Sequence, residues 1–185
     1  NGVKAMAPQL DESMEAGTAA AKAIMTTDTI HKEIAVTFEI AGKTVTLGGM
    51  SKGSGMIHPN MCTMLGFLTT DLAIGKSFLQ EALSQVVMDT FNMITVDGDT
   101  STNDTVLVLA NGLAGNPVIQ EDTEDYQVFY QALHEVNEYL AKQLSMIITT
   151  VMDIATSSTH SNTERERSNL GFSLTVTFSL FSIAY

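Results

Sequence analysis

Between Tyr126 and Leu144 the apolar residues Tyr126, Phe129, Leu133, Val136, Leu140 and Leu144 recur at spacings of three and four. That period puts them on a single stripe of an α-helix. A helix with one apolar stripe must bury it against another element. The chain supplies candidates upstream. IAVTFEI (34–40) alternates and is rich in β-branched residues, as a half-buried strand is; AGK (41–43) reads as a turn and TVTL (44–47) as the second strand of a hairpin. MLGFLTTDLAI (64–74) reads as a buried strand, and residues 76–91 as a helix with Phe78, Leu79, Leu83, Val86 and Val87 on one side. Strands and helices mix without strict βαβ alternation, so the expected fold is α/β or α+β, a layered sandwich.

Other segments are simpler. DESMEAGTAAAKAIM (11–25) reads as a helix with acidic residues in its first turn, broken by MTTDT (25–29). VDGDTSTNDT (96–105) is polar and reads as a loop, with Ser101-x-x-Asp104 capping a further helix whose apolar run VLVLA (106–110) ends at Asn111-Gly112. The stretch 149–169 is Ser/Thr-rich and without period. LGFSLTVTFSLFSIAY (170–185) then alternates, placing Leu170, Phe172, Leu174, Val176, Phe178 and Leu180 on one face of a strand, an aggregation hazard if unpaired.

Bulk properties exclude several roles. A chain of 185 residues is long enough for one domain with a real core. A net charge of −12 argues against nucleic-acid binding, which needs a basic face. Cys62 is the only cysteine, so no internal disulfide forms, which fits a reducing compartment. The first thirty residues lack a basic start followed by an apolar block, and no apolar run reaches membrane-spanning length. Because the chain starts at Asn1, it is expected to be processed or a piece of something longer.

The chemistry concentrates in KGSGMIHPNMCTML (52–65). Gly49-Met50-Ser51-Lys52-Gly53 fits G-x-S-x-G, but a hydrolase elbow needs a helix next, and GSGMIHP will not start one. The Gly-Lys-Ser/Thr order of a phosphate loop is absent. Asp97-Gly98-Asp99 resembles the start of a calcium loop, yet Thr102 and Val108 stand where Gly and Glu are required. His31, His58, His134 and His160 show no metal-ligand spacing. Thr63 remains. A threonine hydroxyl becomes a good nucleophile when its own α-amine serves as base, which requires cleavage just before it. On the residues alone, Thr63 reads more readily as an ordinary core threonine than as a nucleophile.

Three longer stretches go further. GGMSKGSGMIHPNMCTMLGFLTTD (48–71), FNMITVDGDTSTNDTVLVLANG (91–112) and AIMTTDT (23–29) together resemble the ornithine acetyltransferases, the bifunctional glutamate N-acetyltransferases of arginine biosynthesis. The resemblance covers about residues 10–146, giving an acetyltransferase-like region 1–146 and a divergent tail 147–185. It implies an incomplete α-β-β-α sandwich similar to N-terminal-nucleophile enzymes. It implies self-cleavage between Cys62 and Thr63, with Cys62 where the family usually has Ala. It makes Thr63 the catalytic nucleophile, carrying acetyl from N-acetylornithine to glutamate, and Thr26 and Lys52 the residues that bind substrate with it. It implies no metal and no tightly held cofactor, with acetyl-CoA a donor in some members. The expected assembly is a tetramer of two cleaved precursors, cytoplasmic, without nucleic-acid or membrane partners.

The resemblance also predicts gaps. The family's oxyanion-hole Thr-Gly pair belongs to a segment expected before residue 1, and its Gly-rich DGEGATK-type loop is replaced by IITTVMDIATSS (147–158). The expectation is a fragment with a foreign or out-of-frame tail. Two other readings stand beside acetyl transfer: a self-processing aminopeptidase or hydrolase of related fold, and an inactive remnant of the acetyltransferase.

Overall fold

The computed structural model describes residues 2–53, 64–93, 103–153 and 175–176. Helix α1 (Gly2–Met6) and a 3₁₀ turn at Ala7–Gln9 open the chain and bury nothing. Helix α2 (Met14–Ala23) starts where Ser13 accepts the Ala16 N–H at 3.2 Å, a side-chain N-cap.

The expected hairpin lies at the centre of the sheet. Strands β1 (Lys32–Ile40) and β2 (Lys43–Lys52) pair antiparallel from Lys32 opposite Ser51 to Ile40 opposite Lys43. The turn residues Ala41 and Gly42 both have positive φ, 49° and 71°, the handedness that suits a two-residue hairpin. Strand β2 runs on past Leu47 through Gly48 and Gly49 to Lys52, well beyond the expected 44–47.

Strand β3 (Leu65–Thr70) pairs antiparallel with β2, and β4 (Thr105–Ala110) pairs parallel with β3. Parallel neighbours need a crossover, and helix α3 (Lys76–Asp89) lies within it. The apolar run 106–110 is therefore a strand, not the helix expected from the sequence. A five-residue apolar run carries no decisive period, and pairing with β3 satisfies its backbone. Asp104 accordingly caps no helix; its carboxylate accepts the Met64 N–H at 2.8 Å. Ser101 lies outside the described residues.

Helix α4 (Glu124–Asp153) contains the predicted stripe. Phe129, Leu133, Val136 and Leu140 are fully buried, and Tyr126 and Leu144 nearly so, in one cluster with Ile34, Val36, Phe38 and Ile40 of β1 and Val45 and Leu47 of β2. Each such side chain contributes on the order of 1.5–3 kcal/mol by leaving water. Ala82 and Val86 of α3 extend the cluster beside α4. Helix α2 meets β1 from the other side, where Thr18 donates to Glu33 at 2.9 Å. A two-residue strand β5 (Thr175–Val176) adds to the free edge of β1, completing the order β4-β3-β2-β1-β5.

The result is a mixed α/β fold around one sheet. A second β layer, expected for an α-β-β-α sandwich, is not seen among the described residues. Leu107 and Leu109 of β4 remain 49% and 66% exposed. No helix among the described residues is long and apolar enough to cross a membrane.

Candidate active site

Register places one candidate residue, Lys52, beside the start of β3. Lys52 is the last residue of β2 and pairs with Leu65, the first of β3. The ladder therefore closes a segment that contains Cys62 and Thr63, and sets Lys52 opposite a residue two positions after Thr63. Cys62, Thr63 and His58 themselves lie outside the described residues, as do Asp97 to Thr102.

Both ends of that segment are held by carboxylates. At the near end, the Gly53 N–H donates to Asp28 Oδ1 at 2.9 Å. At the far end, Met64 N–H donates to Asp104, and the Met64 carbonyl accepts from Thr105 N–H at 3.0 Å. The two ends are neighbours: a Cβ built on Gly53 would stand 3.7 Å from Met64 Cα. Gly53 has φ +152°, a backbone that side-chain-bearing residues rarely adopt, and Leu144 of α4 packs against it. A cleft of about 230 Å³ opens beside Met64, bordered by Leu83, Val87, Asp104 and Val106.

Asp28 gathers more than Gly53. Its Oδ1 also accepts from Lys32 Nζ at 2.5 Å, and its Oδ2 accepts the Thr26 N–H at 3.3 Å. The pair is buried, Asp28 to 8% and Lys32 to 1% exposure. Burial pushes the Asp28 carboxyl up, but the Lys32 hydrogen bond, the Gly53 N–H, the Lys32 charge and the Thr26 N–H outweigh it, holding the group below its ordinary value. Thr26 and Gly53, the residue after Lys52, are thus tied together through one anion.

Asp28, Lys32 and Asp104 do not stand out in the sequence as site residues. One signal for Lys32 was present. It is two residues before Ile34 and shares the face of Ile34, Val36, Phe38 and Ile40, so alternation alone places a cation on the core side. Nearby, the Ser51 hydroxyl is buried without a hydrogen-bond partner among the described residues. No group of three His, Cys, Asp or Glu among the described residues could hold a metal ion.

The ArgJ family model matches residues 1–156. The chain belongs to the ArgJ family. Among ArgJ relatives, the arginine biosynthesis bifunctional protein ArgJ of Symbiobacterium thermophilum is 58% identical over 144 residues, covering 78% of this chain and 35% of that protein. Its namesake in Lactococcus lactis is 56% identical over 135 residues, covering 72% and 34%. A crystal structure of the arginine biosynthesis bifunctional protein argJ from Bacillus halodurans is 51% identical, with a TM-score of 0.39 over 41% of this chain and 35% of that one. The chain spans about a third of the length of the curated ArgJ relatives it matches.

Proposed function

We propose that this ArgJ-family chain carries the nucleophile half of a glutamate N-acetyltransferase of arginine biosynthesis, moving acetyl from N-acetylornithine to glutamate. The observation that carries the reading is the Lys52–Leu65 pairing, which sets a cation at the mouth of the segment containing Thr63.

The chemistry begins with self-cleavage. The Thr63 hydroxyl attacks the Cys62 carbonyl, the C–N bond breaks, and the freed α-amine takes a proton. Water hydrolyses the resulting ester, leaving Cys62 as a carboxyl terminus and Thr63 as an amino terminus. An α-amine titrates near pH 8, so it accepts the Thr63 hydroxyl proton at neutral pH. That hydroxyl then attacks the acetyl carbonyl of N-acetylornithine, and the proton passes to the departing ornithine amine. The acetyl-threonine ester is taken by the amine of glutamate, regenerating Thr63. Two half-reactions through one ester predict ping-pong kinetics.

In this scheme the Lys52 ammonium pairs with a substrate carboxylate and Thr26 contacts substrate beside it. Acetyl-CoA is an alternative donor, and no metal or bound cofactor is required. The family-level proposal includes the α-β-β-α sandwich, a tetramer of two cleaved precursors and a cytoplasmic setting.

Intact mass of the purified chain, beside Thr63→Ala, tests the scheme. Two pieces dividing after Cys62, absent in the variant, together with acetyl transfer that needs glutamate, support it. An uncut chain in both overturns it, and peptide hydrolysis without glutamate would point to a hydrolase instead.

A further inference from the structure

We infer that Asp28 is a positioning residue of the proposed substrate site, one carboxylate that fixes Thr26 and Lys52 relative to each other. The inference rests on the reading of Thr26 and Lys52 as substrate contacts.

Three donors from three parts of the chain converge on Asp28. The Thr26 N–H comes from the turn after α2, the Lys32 ammonium from the head of β1, and the Gly53 N–H from the end of β2. Thr26 and Lys52 are 26 positions apart in sequence (52 minus 26). Through Asp28 their backbones are joined by only two hydrogen bonds, one to Thr26 itself and one to the residue after Lys52.

Stability alone does not account for such a group. A buried ion pair gains little over apolar residues of the same volume, because desolvation cancels the attraction. What the pair supplies is geometry. An ionised carboxylate accepts through both oxygens at once, so it holds two separate loops, while a neutral amide has one acceptor oxygen. Lys32 lies beneath, 1% exposed, and cancels the Asp28 charge. Lys52 is half-buried, and an Asp28 balanced by Lys32 leaves its charge available to a ligand carboxylate.

Equilibrium binding of glutamate to the 185-residue chain, with thermal unfolding measured beside it, tests this. Lys52→Ala and Asp28→Asn should each weaken glutamate binding by about tenfold or more, the scale of a lost charge-assisted hydrogen bond. The double variant Asp28→Asn/Lys32→Met removes the unpaired buried charge. It should regain most of the Tm lost in Asp28→Asn while binding stays weak. A double variant that recovers both stability and affinity, or that does not fold, makes the pair purely structural and overturns the inference. Binding that falls in Lys52→Ala but is unchanged in both Asp28 variants overturns the inference alone. No saturable binding by the native sequence, or binding indifferent to Lys52→Ala, overturns the functional reading and this inference with it.

Discussion

The backbone N–H of Met64 donates to the side chain of Asp104 at 2.8 Å, across a sequence separation of 40 residues. Asp104 immediately precedes β4, and Met64 immediately precedes β3 and follows Thr63. The contact sets where the parallel pair β3–β4 begins and fixes the backbone on the downstream side of the proposed scissile bond. Attack on the Cys62 carbonyl depends on such alignment, and small displacements of reacting groups are costly. Asp104→Ala should slow self-cleavage by roughly tenfold to a hundredfold. Asp104→Asn keeps an acceptor oxygen and should cleave near the native rate. A time course of intact mass distinguishes them; equal rates in all three would remove Asp104 from the process.

The buried Asp28–Lys32 pair predicts an acid-sensitive fold. The Asp28 carboxyl is held below its ordinary value of about 4. A depressed carboxyl contributes stability that is fully present above its unfolded value and is lost as pH falls through its folded one. Urea unfolding between pH 7 and pH 3 should show this loss, and Asp28→Asn/Lys32→Met should show a shallower acid limb. Lys32→Ala, which leaves the Asp28 charge buried alone, should cost about 3–5 kcal/mol at neutral pH.

The β1–β2 turn is a place to gain stability. Ala41 has φ 49°, unfavourable for a residue with a Cβ, while the neighbouring Gly42 at φ 71° is at ease. Asn tolerates this conformation and Asn-Gly is the preferred pair for the turn. Ala41→Asn should raise stability by about 0.5–1 kcal/mol, read as a higher urea midpoint at unchanged m-value.

Gly49 is a packing requirement. A Cβ there would meet Leu140 Cδ1 at 2.9 Å and Val136 Cγ1 at 3.0 Å. Both side chains belong to the fully buried stripe of α4. Gly49→Ala should therefore cost about 1–3 kcal/mol by overpacking, despite the better strand propensity of alanine. A higher Tm in this variant would show that α4 has room to shift.

The same glycine explains where sequence reading stopped short. The run TVTL stops at Leu47, whereas β2 continues through Gly48 and Gly49 to Lys52, the missing Cβ of Gly49 giving Leu140 and Val136 of α4 room. The stripe of α4 and the Ala41-Gly42 hairpin were legible because their signals are local, a helical period and a turn flanked by alternation. VLVLA misleads because a short apolar run has no period of its own, and only its partner β3 makes it a strand. Thr26 and Lys52 came through family resemblance; the structure joins Thr26 to Gly53, the residue after Lys52. The link itself, Asp28 with Lys32, was not legible as a unit, because its donors meet only when three elements fold together.

The ladder between β2 and β3 has a consequence for how this molecule assembles. If the chain parts after Cys62, α2, β1 and β2 belong to one polypeptide and β3, α3, β4 and α4 to the other. The stripe of α4 packs on β1 and β2, so neither polypeptide owns a finished core. Before the cut, folding is unimolecular; after it, every unfolding event becomes a dissociation, and recovery depends on concentration. A chain refolded before cleavage and one refolded after it would follow different rate laws to the same native contacts, and self-cleavage would be the step that makes the assembly hard to rebuild once it has come apart.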